Sequence, residues 1–173
     1  MNTRLSLRRS TRELQAYGAA CIATYSSALG LRSNAIRELV EHLLLLLTAE
    51  DLPDWEGGTH DLALLDDELP EAFLAELPES AAQTCDRLVD LVSEIGLIDM
   101  YGANTEAPLR HAEQAVALLQ QAGVPPPPVV DVLGEEQADA PVEPRWGEPV
   151  PPEVYLRARD WCIKRLDSST RMA

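Results

Sequence analysis

Glu38 and His42 are the pair of side chains whose spacing best suits metal binding. They lie four residues apart, which places both on one face of a helix. Sites for two metal ions in helical bundles use Glu-x-x-His pairs on two helices. The spacing here is one residue longer, and His111 has no acidic residue three positions before it. We therefore predict neither a metal site nor a cofactor, and interpret Glu38 and His42 as a solvated pair.

Cys21, Cys85 and Cys162 are the candidate nucleophiles. All three lie on predicted apolar helix faces, where a free cysteine packs as a small core residue. The chain has no Cys-x-x-Cys pattern and no histidine beside any cysteine. We therefore predict no catalytic residue among them. An odd number of widely spaced cysteines also argues against a disulfide framework and favours a reducing cytoplasm.

Two short acidic clusters, Asp66-Asp67-Glu68 and Glu135-Glu136, concentrate carboxylates. Neither has the glycine and the alternating oxygen ligands of a calcium-binding loop. Nothing in the sequence selects one pair of carboxylates for acid–base catalysis. We therefore assign Asp66, Asp67 and Glu68 to a binding surface.

The three tryptophans are also candidate binding residues, because tryptophan is common at interaction hot spots. Trp55 lies in a predicted turn and Trp161 in the last predicted helix. Trp146 lies in a proline-rich loop, where a large apolar side chain must be covered by its own chain or by a partner. Of these two interpretations we favour the first, in which Trp146 attaches the loop to the rest of the chain.

Charge is unevenly distributed along the 173 residues, which carry a net charge of −15. Residues 1–37 have a net charge of +5, residues 38–156 of −23 and residues 157–173 of +3. The acidic middle repels phosphates, so we predict no direct binding of nucleic acid there. It attracts basic surfaces and accelerates their encounter. The alternatives are that it serves solubility alone, or that the basic ends lie against it.

Composition predicts an all-α protein without a membrane span. Leu and Ala, which favour helices, supply most of the apolar residues, and aromatic residues make up only 5%. The longest apolar run, Leu43 to Leu47, is far shorter than the roughly 20 residues that a membrane helix needs. The basic start lacks the apolar region of a secretory signal. Thirteen of the 14 basic residues are arginine, which indicates a GC-rich bacterial genome.

The first two helices have clear signals. Ser10 and Glu13 fit a capping box, and the apolar stripe that follows predicts a helix over residues 11–29. A second helix begins after a short connection and contains the run Leu43 to Leu47, so we expect an antiparallel pair. A helix that is apolar on all sides is normally central or covered by a partner.

The acidic middle of the chain contains shorter elements. Residues 51–58 are typical of a turn, and residues 59–77 of one or two short helices. A longer helix is predicted over residues 79–95, ended by Gly96. The apolar connector at residues 97–102 is expected to pack inward.

Prolines dominate the remainder. A helix is predicted from Thr105 to Gly123, followed by a polyproline II segment at residues 125–128 and an acidic loop at residues 133–150. Pro151 begins the last, amphipathic helix. The predicted fold is therefore a compact bundle of five or six helices with a proline-rich arm and one detached helix.

In sequence, the predicted boundaries place the helical body at residues 1–124. The proline-rich acidic arm occupies residues 125–150, and the C-terminal helix and tail occupy residues 151–173.

Three functions are compatible with this sequence. The first is a non-enzymatic cytoplasmic interaction module whose acidic surface binds a basic protein, for example an immunity protein or antitoxin. The second is a self-associating structural or adaptor protein, such as a homodimer joined by the leucine run or by the last helix. The third is a small helical enzyme whose pocket collects five polar side chains. These are Glu38, His42, Asp99, Tyr101 and His111.

Overall fold

A computed structural model describes residues 7–136 and 143–168. The described residues form eight α-helices and no strand, which confirms the predicted all-α class. The helices are α1 (Thr11–Ala28), α2 (Asn34–Leu44), α3 (Leu52–Gly58), α4 (Glu71–Glu76), α5 (Ala82–Leu97), α6 (Ala107–Gln121), α7 (Val129–Leu133) and α8 (Pro152–Asp167). Short 3₁₀ turns lie at Leu45–Leu47, Thr59–Asp61, Ala63–Leu65 and Glu79–Ala81.

Helix α1 is the centre of the bundle. The Ser10 hydroxyl caps it by accepting from the backbone N–H of Glu13, as predicted. The Glu13 carboxylate accepts from the Ser10 hydroxyl and not from the Ser10 backbone N–H that a full capping box uses. Fourteen of its 18 residues are buried, on every side of the helix. Helices α2, α5, α6, α7 and α8 pack around it. The leucine-rich helix α2 is therefore one of the outer helices, although its apolar run suggested a central one.

The leucine run at the end of α2 and in the turn that follows it is mostly covered by its own chain. Leu43, Leu44, Leu46 and Leu47 are buried, and only Leu45 is exposed, at 44%. A second copy of the chain would have to displace these intramolecular contacts to use the run as an interface. Association into a homodimer stays a prediction.

A glycine allows α1 and α5 to approach closely. A Cβ atom at Gly18 would lie 2.8 Å from Cγ1 of Val92 and 2.9 Å from Cδ1 of Ile95. Both distances are shorter than real contacts of a Cβ atom. The missing side chain therefore sets how closely these two helices pack.

Arg12 is a buried charged residue of α1 that hydrogen-bonds to backbone carbonyls of two other segments. Its Nη1 donates to the carbonyls of Leu46 and Ala49, each at 2.7 Å. Its Nε donates to the carbonyl of Gly147 at 3.0 Å. Burial lowers the pKa of the guanidinium, and the carboxylate of Glu148 offsets part of this shift. One side chain thus joins α1, the turn after α2 and the segment before α8.

Two further polar residues of α1 bind backbone groups of other segments. The buried Gln15 amide donates to the carbonyl of Val92 and accepts from the N–H of Gly96, both at 2.9 Å. The hydroxyl of Tyr17 donates to the carbonyl of Pro127 at 2.8 Å. These bonds fix α5 and the proline segment against α1.

The segment before α8 covers the N-terminal end of α1. The N–H groups of Thr11 and Arg12, which have no carbonyl partner within the helix, donate to the carbonyls of Arg145 at 2.8 Å and Trp146 at 3.4 Å. A Cβ atom at Gly147 would lie 2.6 Å from Cβ of Ser10, so this crossing requires a glycine. The arm therefore completes the first turn of α1.

Helix α8 packs on the same chain. Ala158, Cys162 and Leu166 form its buried face, and its neighbours are α1, α2 and α7. Just before it, the N–H of Val150 donates to the carbonyl of Leu47 at 2.9 Å. The expectation of a detached helix is therefore wrong, because its small buried residues let it lie directly against α1.

Two boundaries differ from the predicted ones in the acidic middle. Residues 52–58 form α3 where a turn was predicted, because Asp51 caps the helix by accepting from the N–H of Asp54. Helix α5 continues through Gly96, which was expected to end it. A Cβ atom at Gly96 would lie 2.9 Å from Cδ2 of Leu46, so this glycine is needed for close packing inside the bundle.

We expect Arg12→Ala to lower the free energy of unfolding by about 3 kcal/mol, because one buried and two partly buried carbonyls lose a charged donor. Urea denaturation followed by circular dichroism measures this loss. The matched control is Arg110→Ala, since Arg110 is exposed on α6, and its effect should stay within about 0.5 kcal/mol. Equal denaturation midpoints for both variants would contradict the role of Arg12.

We expect Gly18→Ala to destabilise the protein by about 1–3 kcal/mol, because the new methyl group overlaps α5. Gly57→Ala is the control: it also lies in a helix, and a Cβ atom there meets no atom within 4 Å. This control should be neutral or stabilising by up to about 1 kcal/mol. Thermal unfolding of both variants measures the difference, and a stable Gly18→Ala protein would argue against the close packing of α1 and α5.

Candidate interaction surface

Negative charge is concentrated on the surface formed by α4 and its flanking turns. Residues 38–86 contain 14 acidic residues and no Lys or Arg. Phe73 of α4 and Leu77, which directly follows the helix, are buried, and this directs the polar residues of the segment outward. We call the exposed carboxylates here the acidic face. Its members are Asp66, Asp67, Glu68, Glu71, Glu76 and Glu79.

No member of the acidic face forms an ion pair with another described residue. The ion pairs found within residues 7–136 and 143–168 are Arg9–Glu13, Arg37–Asp167 and Arg159–Glu41. Only the last of these joins a basic end of the chain to its acidic middle. Among the described residues, the basic ends therefore pair with Glu41 and with no member of the acidic face.

Trp55 lies in the core instead of on this surface. Its side chain is 5% exposed, and its Nε1 donates to the carbonyl of His42 at 2.9 Å. The His42 ring stacks on the Trp55 ring with centroids 5.2 Å apart, and its Nε2 bonds the carbonyl of Trp55 at 2.9 Å. This reciprocal pair attaches α3 to α2. We therefore leave Trp55 out of the surface considered for binding.

The other two tryptophans are half-buried. Trp146 packs against the core at the crossing of the arm over α1, as expected if it attaches the arm to the bundle. Trp161 also packs against the core, and the guanidinium of Arg165 lies 4.7 Å from the centre of its ring. Each ring keeps one part accessible, so a role for Trp146 and Trp161 in binding stays a prediction.

Tyr101 is an exposed aromatic residue that the sequence analysis placed inward. Its side chain is 80% exposed, and Ile98 nearby in sequence is 43% exposed. The prediction that the connector packs inward is wrong for both residues and holds for Met100, which is 8% exposed. The hydroxyl of Tyr101 donates to the carboxylate of Glu56 on α3. This bond raises the pKa of Tyr101, because the phenolate would face a negative charge.

The loop that carries Tyr101 is held in place by hydrogen bonds between Asp99 and Thr105. The buried Asp99 carboxylate accepts from the N–H of Thr105 at 2.7 Å and from its hydroxyl at 2.9 Å. Gly102 follows Tyr101 with φ of +110°, a conformation that favours glycine. Because Asp99 and Met100 are buried on one side of Tyr101, the ring is held at the surface beside Glu56.

The polar residues proposed for an enzyme pocket have separate structural roles. His42 binds Trp55, Asp99 binds Thr105, and Nδ1 of His111 bonds the carbonyl of Ala107 at 2.7 Å. Three surface clefts can be described, beside Pro108, beside Glu148 and beside Asn34. None of the five candidate residues lines these clefts.

The cysteine thiols are protonated at neutral pH. Burial raises the pKa of Cys85 to about 11 and that of Cys162 to about 12. Burial also raises the pKa of Cys21 strongly. Because the thiolate is the nucleophilic form, these three residues act as core residues, in agreement with their positions on apolar helix faces.

In the part of the chain that the structure describes, no three His, Cys, Asp or Glu side chains are grouped so that they could hold a metal ion. In the same residues, no helix combines the length and the apolar character that crossing a membrane requires.

Comparison with known proteins finds no match among family models, curated proteins or solved structures.

Burial lowers the pKa of His42, and its bond to the Trp55 carbonyl offsets part of this shift. The folded protein therefore binds this proton more weakly than the unfolded chain, whose histidine has a pKa of about 6.5. The resulting stability is complete above pH ~6.5 and declines as the pH falls below that value. Because the ring is half-buried and solvent screens its charge, we expect this contribution to be small.

Urea denaturation at pH 7.5 and pH 5 measures this contribution. We expect His42→Gln to lose less stability than the wild type between the two values. His60→Gln, which changes an exposed histidine, should behave as the wild type. An identical loss in the wild type and in His42→Gln would exclude His42 as the source.

Proposed function

We propose that this protein is a non-enzymatic cytoplasmic interaction module that binds a basic protein through its acidic face. The observation that carries this proposal is that six exposed carboxylates between residues 66 and 79 have no ion pair among the described residues. Unpaired carboxylates repel one another, and a basic partner would relieve this repulsion.

Electrostatics favours a protein partner over nucleic acid. A surface without a single Lys or Arg between residues 38 and 86 repels phosphates. The same surface accelerates association with a basic protein and makes it sensitive to salt. The three buried thiols, which are free cysteines, support a reducing compartment such as the cytoplasm.

An immunity protein or antitoxin is the concrete form of this proposal. Such a protein neutralises a basic toxin by covering its surface, and the chemistry needed is complementary charge on a stable scaffold. The bundle around α1 supplies the scaffold, and the acidic face supplies the charge. The arginine-rich composition supports a bacterial source.

A pair of charge variants tests the acidic face. The first carries Asp66→Asn, Asp67→Asn, Glu68→Gln and Glu71→Gln. The control carries Glu94→Gln, Glu106→Gln, Asp131→Asn and Glu135→Gln, which are exposed acidic residues elsewhere on the surface. Both variants lose four negative charges, so they differ only in where the charge is removed.

Affinity purification from the source cells compares these variants with the wild type. We expect the wild type and the control to retain the same basic protein, and the first variant to lose it. Raising the salt from about 0.1 M to 1 M should release the partner, because the Debye length falls from about 10 Å to about 3 Å. Retention by all three proteins, or of no basic protein, would contradict the proposal.

A further inference from the structure

We propose that Tyr101 and Glu56 form an anchor that holds an arginine side chain of the basic partner. This inference rests on the proposed function and makes it specific. Tyr101 presents an aromatic ring that is 80% exposed, and its hydroxyl is bound to the carboxylate of Glu56. A cation above the ring would therefore also lie close to a negative charge.

The anchor is preorganised by two independent supports. Glu56 belongs to α3, which Asp51 caps and which the pair of His42 and Trp55 attaches to α2. Tyr101 belongs to a loop that Asp99 fixes through Thr105. A surface whose groups are already ordered binds more tightly, because little conformational entropy is lost on association.

The chemistry of the two groups selects a guanidinium. A cation within about 6 Å of a tyrosine ring is attracted to its face. Arginine is planar, stacks on aromatic rings and donates several N–H groups in one plane, so it can cover the ring and pair with the carboxylate together. The lysine ammonium is compact and strongly hydrated, so it can pair with the carboxylate but covers less of the ring.

The composition around the anchor also fits a protein partner. Ile98, 43% exposed, lies three residues before Tyr101. Both residues lie in the acidic middle of the chain, and no Lys or Arg occurs between residues 38 and 86, the stretch that contains Glu56. Interfaces often place an aromatic anchor among apolar atoms with charges at the edge. A basic protein with an exposed arginine could contact the Tyr101 ring and Ile98 and pair with the surrounding carboxylates.

Binding of a hexa-arginine and a hexa-lysine peptide, measured by isothermal titration calorimetry at low salt, tests the anchor on the full chain. We expect the wild type to bind hexa-arginine about two- to fivefold more tightly than hexa-lysine. Tyr101→Ala should abolish this preference, whereas Tyr101→Phe should retain it because the ring remains. Circular dichroism confirms the fold of each variant.

Two acidic variants complete the design. Glu56→Gln should weaken hexa-arginine binding more than Asp61→Asn does, since Asp61 is an exposed carboxylate that is not bonded to Tyr101. A preference for arginine that survives Tyr101→Ala, or equal effects of Glu56→Gln and Asp61→Asn, would overturn the anchor. Equal binding of both peptides to the wild type would also overturn it and would leave the acidic face standing. Failure of both peptides to bind, together with failure to recover a basic partner from cells, would overturn the proposed function as well.

Discussion

The fold depends on the burial of one charged side chain among backbone carbonyls. Arg12 bonds three carbonyls from two distant segments, and a buried guanidinium needs such acceptors because it cannot become neutral at ordinary pH. Gln15 and Tyr17 extend the same principle along α1, each binding backbone atoms of another segment. The central helix therefore combines apolar packing with polar bonds of defined direction, and these bonds specify which segments meet it.

This arrangement separates the two signs of charge. Arg12 and Arg9 at the start of α1 bind carbonyls or the neighbouring Glu13, so their charge is used within the fold. The carboxylates between residues 66 and 79 have no such partners among the described residues and face solvent. The net charge of −15 therefore understates the negative character of the face that a partner would meet. Tyr101 and Glu56 add an aromatic group to the same acidic region of the chain.

Local signals predicted the elements well, and tertiary contacts decided the rest. The capping box at Ser10 is local, so the start of α1 was predictable. The role of Gly96 depends on Leu46 and Gln15, which are distant in sequence. The local sequence alone does not distinguish a glycine that ends a helix from one that allows another segment to pack closely. The exposure of Tyr101 was missed because an apolar run suggests burial. Its hydrogen bond to Glu56, 45 residues away, has no signature in the local sequence.

The crossing of the arm over α1 also concerns how the chain folds during synthesis. Arg12 meets Gly147 across 135 residues, and Tyr17 meets Pro127 across 110. Contacts of such separation close late, because the entropy of loop closure must be overcome first. A nascent chain that has emerged only as far as α6 lacks every partner of α1 that lies beyond residue 124. Helix α1 is thus completed only after α7 and α8 have emerged, and until then the side that these two helices cover remains open to other chains and to chaperones.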